Sequence, residues 1–502
     1  MLGMVTSFSL PPFNYFIINF FTFSLFFLFL IKKSELHNNK KLFFFYGWLF
    51  GFGYFLISLY WISISLTFDE TFKVLIPLTV CLIPAFLAIF YGLISYFFIT
   101  FKKNNILGSF FIFSLIFGSL EFLRGSILTG FPWNLIVFSF SNQIELLAVT
   151  SIIGTYGLNL LCISIFISPA LLILEDSKKK KIKVFIFIII IILSILIFGS
   201  HYKDRFHKAA TEVYDFKIRI IGSNINLNRF YSNIDPVSII EELIEISNPK
   251  KNEKTIFVWP EGILPGISQS EFEEYRFLFE EKFSKNHLLI IGTNSHSIIQ
   301  GSKNYFNSLT VYDHKLKLLN SYNKIKLVPF GEFLPLEGVL KKIGLRSLTN
   351  NYQSFSKGHL RQIIEVKLQN ISLKILPLIC YEIIYSGNLF DNQNFDFIIN
   401  ISEDGWFGDS IGPKQHFAHS ILRAVENGKY VLRSANNGNA AIINPLGIIE
   451  KNVSSEFSGY VDFYERKNIK PTIFSKYGNK IFVLLILLYI FLIFSFNRST
   501  NE

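Results

Sequence analysis

Three side chains of different reactivity stand in the polar part of this 502-residue chain, each just after an apolar, β-branched run. They are Glu261 in Trp259-Pro260-Glu261-Gly262, Lys324 in Tyr322-Asn323-Lys324-Ile325-Lys326, and Cys380 in Leu378-Ile379-Cys380-Tyr381-Glu382. Ends of strands are where α/β folds gather their sites, because several loops converge there. A carboxylate, an ammonium and a thiol form a sufficient set for acyl transfer. Glu261 can take the thiol proton, Cys380 can attack a carbonyl, and Lys324 can favour the thiolate and hold the oxyanion of a tetrahedral intermediate. Singly, each has an ordinary reading: a turn carboxylate after proline, a solvated lysine beside Lys326, a small buried thiol. The other two cysteines, Cys81 and Cys162, lie in apolar stretches, so neither a disulfide framework nor a cysteine metal site can be built.

The elements that must position these residues are legible around them. Strand-length runs recur at Lys217–Ile221, Thr255–Trp259, His287–Ile291, Leu309–Tyr312, Leu373–Ile379, Phe395–Ile401, Tyr430–Ser434 and Ala440–Asn444. Helical patterns fall between some of them, at Pro236–Ser247 after an Asp235 cap, at Ser270–Phe283 and at Lys414–Asn427. Asn436-Asn437-Gly438-Asn439 joins two strand-like runs as a hairpin turn. Alternating strands and helices with hairpin-like pairs imply an α/β sandwich of mixed sheets.

The rest of the chain is membrane. Half of all residues are apolar, 58 are Phe and only 17% are charged, against about a quarter in soluble chains. A helix needs about 20 apolar residues to cross hydrocarbon, and seven stretches qualify: 13–31, 43–65, 74–100, 106–123, 145–173, 183–199 and 479–496. Lysines follow the first, third and fifth (Lys32, Lys33, Lys40, Lys41; Lys102, Lys103; Lys178–Lys181, Lys183), and Arg498 follows the seventh, while the alternate loops are poor in basic residues. This bias places 203–475 on the outer, non-cytoplasmic face. The expected organisation is a multi-pass α-helical membrane domain over 1–202, a catalytic domain over 203–475 and a last membrane helix in 476–502. The excess charge of +11 is a topology signal in short clusters, not a nucleic-acid surface.

The three motifs and their order resemble the nitrilase superfamily over about 215–465. The resemblance implies an αββα sandwich with a Glu-Lys-Cys triad: Glu261 as general base, Lys324 on the oxyanion, Cys380 as nucleophile. A narrower likeness covers nearly the whole chain. Glu121-Phe122-Leu123-Arg124-Gly125, Leu128-Thr129-Gly130-Phe131-Pro132-Trp133, Leu327-Val328-Pro329-Phe330-Gly331-Glu332-Phe333 and Trp406-Phe407-Gly408-Asp409-Ser410-Ile411-Gly412-Pro413 resemble segments of bacterial apolipoprotein N-acyltransferases. It implies transfer of an acyl chain from a phospholipid, through a cysteine thioester, to the α-amino group of a diacylglyceryl-cysteine apolipoprotein, with no cofactor or metal. It also implies supporting roles for Glu332, Tyr381 and Glu382, and an inner-membrane enzyme whose catalytic domain faces the periplasm. The alternative within the superfamily is a membrane-tethered amidase or hydrolase. Two departures stand out: eight spans are usual, the stretch Ser7–Pro11 resembling the start of the second, and a Trp expected after the first strand is replaced by Phe230 or Tyr231.

A lipid substrate also follows from physics, since a soluble amidase gains nothing from seven spans. Phe333–Leu348, with leucines against Lys341, Lys342 and Arg346, reads as a basic amphipathic arm able to cover an acyl chain, or equally as a surface segment packed on the sandwich. Glu121 and Arg124, costly to bury in or near a span, read as an ion pair or a headgroup contact. His416 and His419 lack a third ligand and read as packing or hydrogen-bonding residues. No GxSxG elbow or glycine-rich phosphate loop occurs, which removes serine-hydrolase and nucleotide-enzyme readings. Charged residues are too scarce in the spans for a transporter pathway.

Overall fold

The computed structural model describes residues 1–231, 234–299, 301–335, 338, 342, 354–387, 389 and 394–498. Most of the expected arm Phe333–Leu348 lies outside the described residues.

Among the described residues, six apolar helical segments are long enough to cross a membrane: Ile17–Leu36, Lys40–Phe68, Phe72–Phe101, Ile106–Arg124, Thr150–Leu174 and Lys181–Lys208. A further 19-residue helix, Lys480–Arg498, carries a shorter apolar run. The chain is a multi-pass membrane protein. Aromatic rings fill the bundle interior, as where Phe23, Phe27, Phe98, Phe113 and Phe117 interlock edge to face. Two details differ from the hydropathy pattern. The helix Lys178–Lys208 runs well past the apolar stretch 183–199 and stops only two residues short of the first strand, because the polar turns after Ser200 are ordinary helix formers. The apolar stretch 145–173 is broken, with a short helix Ile144–Leu147 and then Thr150–Leu174, itself kinked at Gly154. Gly154 has φ +72°, and a Cβ there would sit 2.0 Å from the Phe474 ring, so only glycine fits. The kink frees the amide of Thr155, which donates to Glu426 in the polar domain at 2.6 Å.

Among the described residues twelve strands follow: β1 (Thr211–Ser223), β2 (Thr255–Val258), β3 (His287–Ile299), β4 (Ser302–Asp313), β5 (Leu318–Asn323), β6 (Ile364–Leu368), β7 (Ile371–Ile379), β8 (Phe397–Glu403), β9 (Val431–Asn436), β10 (Ala440–Ile443), β11 (Ile449–Val453) and β12 (Gly459–Lys467). They form two halves of like design. One runs β5-β4-β3-β2-β1-β12 and the other β6-β7-β8-β9-β10-β11, each with three parallel central strands and antiparallel edges. The halves join where the ends of β1 and β9 pair, Gly222 opposite Ala435. Their inner faces form one core, with Ile218, Ile256, Ile290 and Val311 from the first half and Ile375, Ile399, Leu432 and Ile442 from the second. Alternation of period two supplies that face from each strand.

Helices cover the outer faces. Pro236–Ser247 begins at the expected Asp235 cap, whose side chain accepts from Val237 N at 3.0 Å, and lays Ile239, Ile240, Leu243 and Ile244 on the first sheet. The expected helix Ser270–Phe283 divides into a 3-10 segment, Glu271–Tyr275, and an α-helix, Arg276–Lys282. Gly412–Asn427 covers the second sheet and is buried along almost its whole length, because its far side meets the membrane helices. The result is a helical membrane domain carrying an αββα, nitrilase-like sandwich.

Candidate active site

The structure brings Glu261, Lys324 and Cys380 to one end of the sandwich, from three different strands. Glu261 follows β2, Lys324 follows β5 and Cys380 follows β7. Cys380 is the turning point between β7 and the 3-10 segment Cys380–Ile384, and it holds a left-handed φ of +46°. A non-glycine residue in that region is strained, and the surrounding contacts must hold it there.

Those contacts centre on Glu382, which is fully buried. One of its oxygens accepts from Ile379 N at 2.9 Å, closing the turn around Cys380. The other accepts from Tyr322 Oη at 2.8 Å, Ile325 N at 3.0 Å, Lys326 N at 3.2 Å and Arg361 Nη2 at 2.9 Å. A single carboxylate therefore ties the loop after the thiol to the loop after the lysine.

Lys324 is buried between two carboxylates, with Nζ 3.2 Å from Glu261 and 2.9 Å from Glu332. Burial pulls its pKa down, but the two carboxylates outweigh that and hold the ammonium above its ordinary range. An ammonium has three donors, so one remains after both carboxylates are served. Glu332 also accepts from Val328 N at 2.8 Å. Burial pushes Glu332 up from the ordinary carboxylate range, against the pull of Lys324. Burial likewise raises the Cys380 thiol well above its usual range; Glu261 adds to this and Lys324 opposes it. The balance favours the neutral thiol over the thiolate.

Asn307, in the middle of β4, was not apparent from the sequence. Its side-chain amide donates to Glu261 and to Glu332, both at 2.7 Å, and its backbone carbonyl accepts from Lys324 N at 2.8 Å. Glu261 is further fixed by Glu403 N at 3.0 Å. Glu403 forms a buried ion pair with Arg229. Arg229 in turn lies over the Phe230 ring at 4.7 Å, and Phe230 and Tyr231 meet Trp406 at 4.9 and 6.4 Å. Both aromatic candidates after β1 therefore join one wall, which Phe68 of the membrane domain extends by contacting Trp406 at 5.8 Å.

His416 bonds Asp404 at 2.9 Å, Asp404 also pairs with Arg433 at 2.7 Å, and burial keeps His416 below its usual pKa. His419 packs on Phe138 at 4.2 Å. Among the described residues no group of three His, Cys, Asp or Glu is arranged to hold a metal. Glu121 and Arg124, predicted as a pair or a headgroup contact, are a buried ion pair at 2.5 Å.

A thiol, a carboxylate and an ammonium at the end of an αββα sandwich, seated on a helical membrane domain, define a membrane-embedded protein of the nitrilase class. A family model described as carbon-nitrogen hydrolase matches residues 233–461, and one described as apolipoprotein N-acyltransferase N-terminal domain matches residues 2–168. The chain belongs to the apolipoprotein N-acyltransferase family. The apolipoprotein N-acyltransferase of Rickettsia typhi is 33% identical over 98% of both chains, and that of Rhodopseudomonas palustris is 30% identical over 98% of this chain and 93% of its own. Among solved structures, an amidase from Nesterenkonia sp. aligns with 51% of this chain and 93% of its own at 12% identity, with a TM-score of 0.35.

Proposed function

We propose that this protein transfers a fatty acyl chain from a phospholipid to the free α-amino group of diacylglyceryl-cysteine at the start of apolipoproteins, in two half-reactions through a thioester on Cys380. In the first, Glu261 takes the thiol proton as Sγ bonds to the ester carbonyl carbon. Lys324 and the backbone N–H of Tyr381 hold the resulting oxyanion. The carbon–oxygen bond then breaks, and Glu261 returns the proton to the leaving lysophospholipid oxygen. In the second, the amine attacks the thioester, Glu261 accepts its proton, the carbon–nitrogen bond forms and the carbon–sulfur bond breaks. The departing thiolate is reprotonated by Glu261.

Glu332 and Asn307 keep Lys324 and Glu261 in register, and Glu382 keeps the loops of Lys324 and Cys380 together. No step calls for a metal or organic cofactor. The alternating basic loops support an inner-membrane protein with this domain in the periplasm.

The observation that carries this reading is the buried Cys380 thiol at the sandwich end it shares with Glu261 and Lys324, with the next residue, Tyr381, bonded to a membrane-domain loop (Gly130 O, 3.2 Å). Intact-protein mass spectrometry after incubation with phosphatidylethanolamine tests it. One fatty-acyl adduct on Cys380, retained until a diacylglyceryl-cysteine peptide is added, is the expected result. Absence of an adduct, or steady release of free fatty acid in its place, overturns it.

A further inference from the structure

The ion pair between Glu121 and Arg124 occupies the last turn of the helix Ile106–Arg124, and both side chains are 1% exposed. Desolvation of two charges commonly cancels their attraction, so a buried pair is a poor source of stability on its own. This one has a further contact. Arg124 Nη1 donates to the carbonyl of Phe131 at 2.6 Å, while Phe131 N donates back to the Arg124 carbonyl at 3.0 Å. Residues 125–130 are thus closed into a loop pinned at its base. Glu121 sets the direction of the guanidinium, and the planar fork reaches carboxylate and carbonyl through two separate nitrogens in fixed geometry, which the single nitrogen of a lysine does not reproduce.

Within the loop, Gly130 N bonds to Ile127 O at 2.8 Å, and Gly130 takes φ +75°. A Cβ there would lie 2.4 Å from the Gly125 carbonyl oxygen. This geometry turns the carbonyls of Thr129 and Gly130 towards the catalytic domain. Tyr385 Oη donates to both, at 2.9 and 3.2 Å, and Tyr381 Oη donates to Gly130 O at 3.2 Å. Tyr381 directly follows Cys380 and begins the peptide that leaves the strained nucleophile turn. On the far side of the loop, Trp133 stacks on His416 with ring centroids 5.5 Å apart.

We infer that Glu121 and Arg124 are positioning residues for acyl transfer: they fix the 125–131 loop so that Gly130 holds Tyr381, and through it the peptide beside the Cys380 sulfur, in its reactive orientation. The inference rests on the acyl-enzyme reading above and adds a membrane-domain contribution to it. The pair itself touches no reacting atom. Its effect on Cys380 is assigned to the Gly130–Tyr381 contact, because Tyr381 is joined directly to Cys380 whereas Tyr385 lies further along the chain, and that route distinguishes it from a general support of the fold.

The test is a double-variant cycle on the full-length protein in detergent micelles, with phosphatidylethanolamine as donor and single-turnover acylation of Cys380 read by intact mass. Arg124→Lys and Tyr381→Phe are each expected to slow acylation at saturating lipid by about tenfold or more, with the half-saturating lipid concentration changed less than about threefold. Combined, they are expected to be no slower than the slower single variant within about threefold, because both break the same connection. Effects that multiply in the double variant, or an Arg124→Lys protein that acylates at the wild-type rate, overturn the inference. Should Arg124→Lys fail to fold, Glu121→Gln, which keeps the guanidinium, goes through the same cycle with the same criteria at a milder loss of about threefold or more. A wild-type protein that takes up no acyl group instead refutes the acyl-enzyme reading, so the two failures are told apart.

Discussion

The side-chain amide of Asn307 donates to the carboxylate of Glu261 at 2.7 Å, and its second hydrogen goes to Glu332 at the same distance. One residue thereby spaces the two acids that flank the Lys324 ammonium. Asn307→Asp replaces a double donor with a third carboxylate in a buried cluster, where like charges repel strongly. Acylation of Cys380 should fall at least about a hundredfold, measured by single-turnover intact mass. Asn307→Ala, which leaves two buried acceptors short of one donor each, should lose about ten- to a hundredfold, since only part of the roughly 1–3 kcal/mol per unmet group falls on the barrier and about 1.4 kcal/mol there is tenfold. Near wild-type rates in both would remove Asn307 from the site.

The raised thiol makes a prediction about pH. A pKa held above the ordinary range by burial and by Glu261 leaves Cys380 neutral at physiological pH. Its alkylation by iodoacetamide should then climb about tenfold per pH unit between roughly pH 7 and 9, without levelling off, since only the thiolate reacts. Glu261→Gln removes a negative neighbour and leaves Lys324 in place, so the thiol pKa should drop and alkylation at fixed pH should speed up, while acyl transfer is lost. A plateau below pH 8 in the wild type would contradict the neutral resting state.

What the sequence disclosed and what it hid have physical reasons. The places of Glu261, Lys324 and Cys380 could be read because each follows an apolar run that is a strand end. The helix at 236–247 could be read because Asp235 caps it, and the turn at 436–439 because it joins two runs that pair as β9 and β10. Asn307 could not: on β4 it is one more inward position, and its partners come from residues 46 and 25 positions away through sheet pairing and loop folding. The kink at Gly154 was hidden too, since hydropathy records only apolar content and the kink lies where Phe474 packs on Gly154. Glu121 and Arg124 announced themselves as charges among apolar residues, but their contact with Phe131 required the loop to be folded.

Glu382 gathers donors from both sides of the site, and its removal should be felt in stability before chemistry. Glu382→Gln turns one acceptor oxygen into an NH2 facing either Ile379 N or the donors at the lysine loop, and it leaves Arg361 without its carboxylate at 2.9 Å. Breaking a buried, hydrogen-bonded charge in this way costs on the order of 3 kcal/mol. The thermal midpoint should drop by several degrees, and the residual folded protein should acylate slowly because the Cys380 turn has lost its closure. Tyr322→Phe removes one donor of several and should cost about 1 kcal/mol. An unchanged midpoint in Glu382→Gln would mean the carboxylate is not the tie between the two loops.

Gln415 is where the catalytic domain holds two tryptophans of the membrane domain at once. Its side-chain oxygen accepts from Trp61 Nε1 at 3.1 Å and Trp133 Nε1 at 2.9 Å, and the two indoles lie 5.1 Å apart with Phe407 against both. Tryptophan nitrogens can only donate, so Gln415→Leu leaves the buried Trp133 N–H unmet, and Trp61 Nε1 with only the Ser58 carbonyl at 3.1 Å, while nearly preserving volume. At about 1–3 kcal/mol for the unmet group, the loss falls on the seam between domains. Tryptophan emission should shift to the red and limited proteolysis should cut the loops at the seam faster, while the sandwich core stays resistant. The seam also includes Gly130 beneath Tyr381, so acylation should slow in step with the proteolytic change. If Gln415→Leu alters acylation but leaves emission and proteolysis as in the wild type, Gln415 acts on the reaction by some route other than docking the membrane domain.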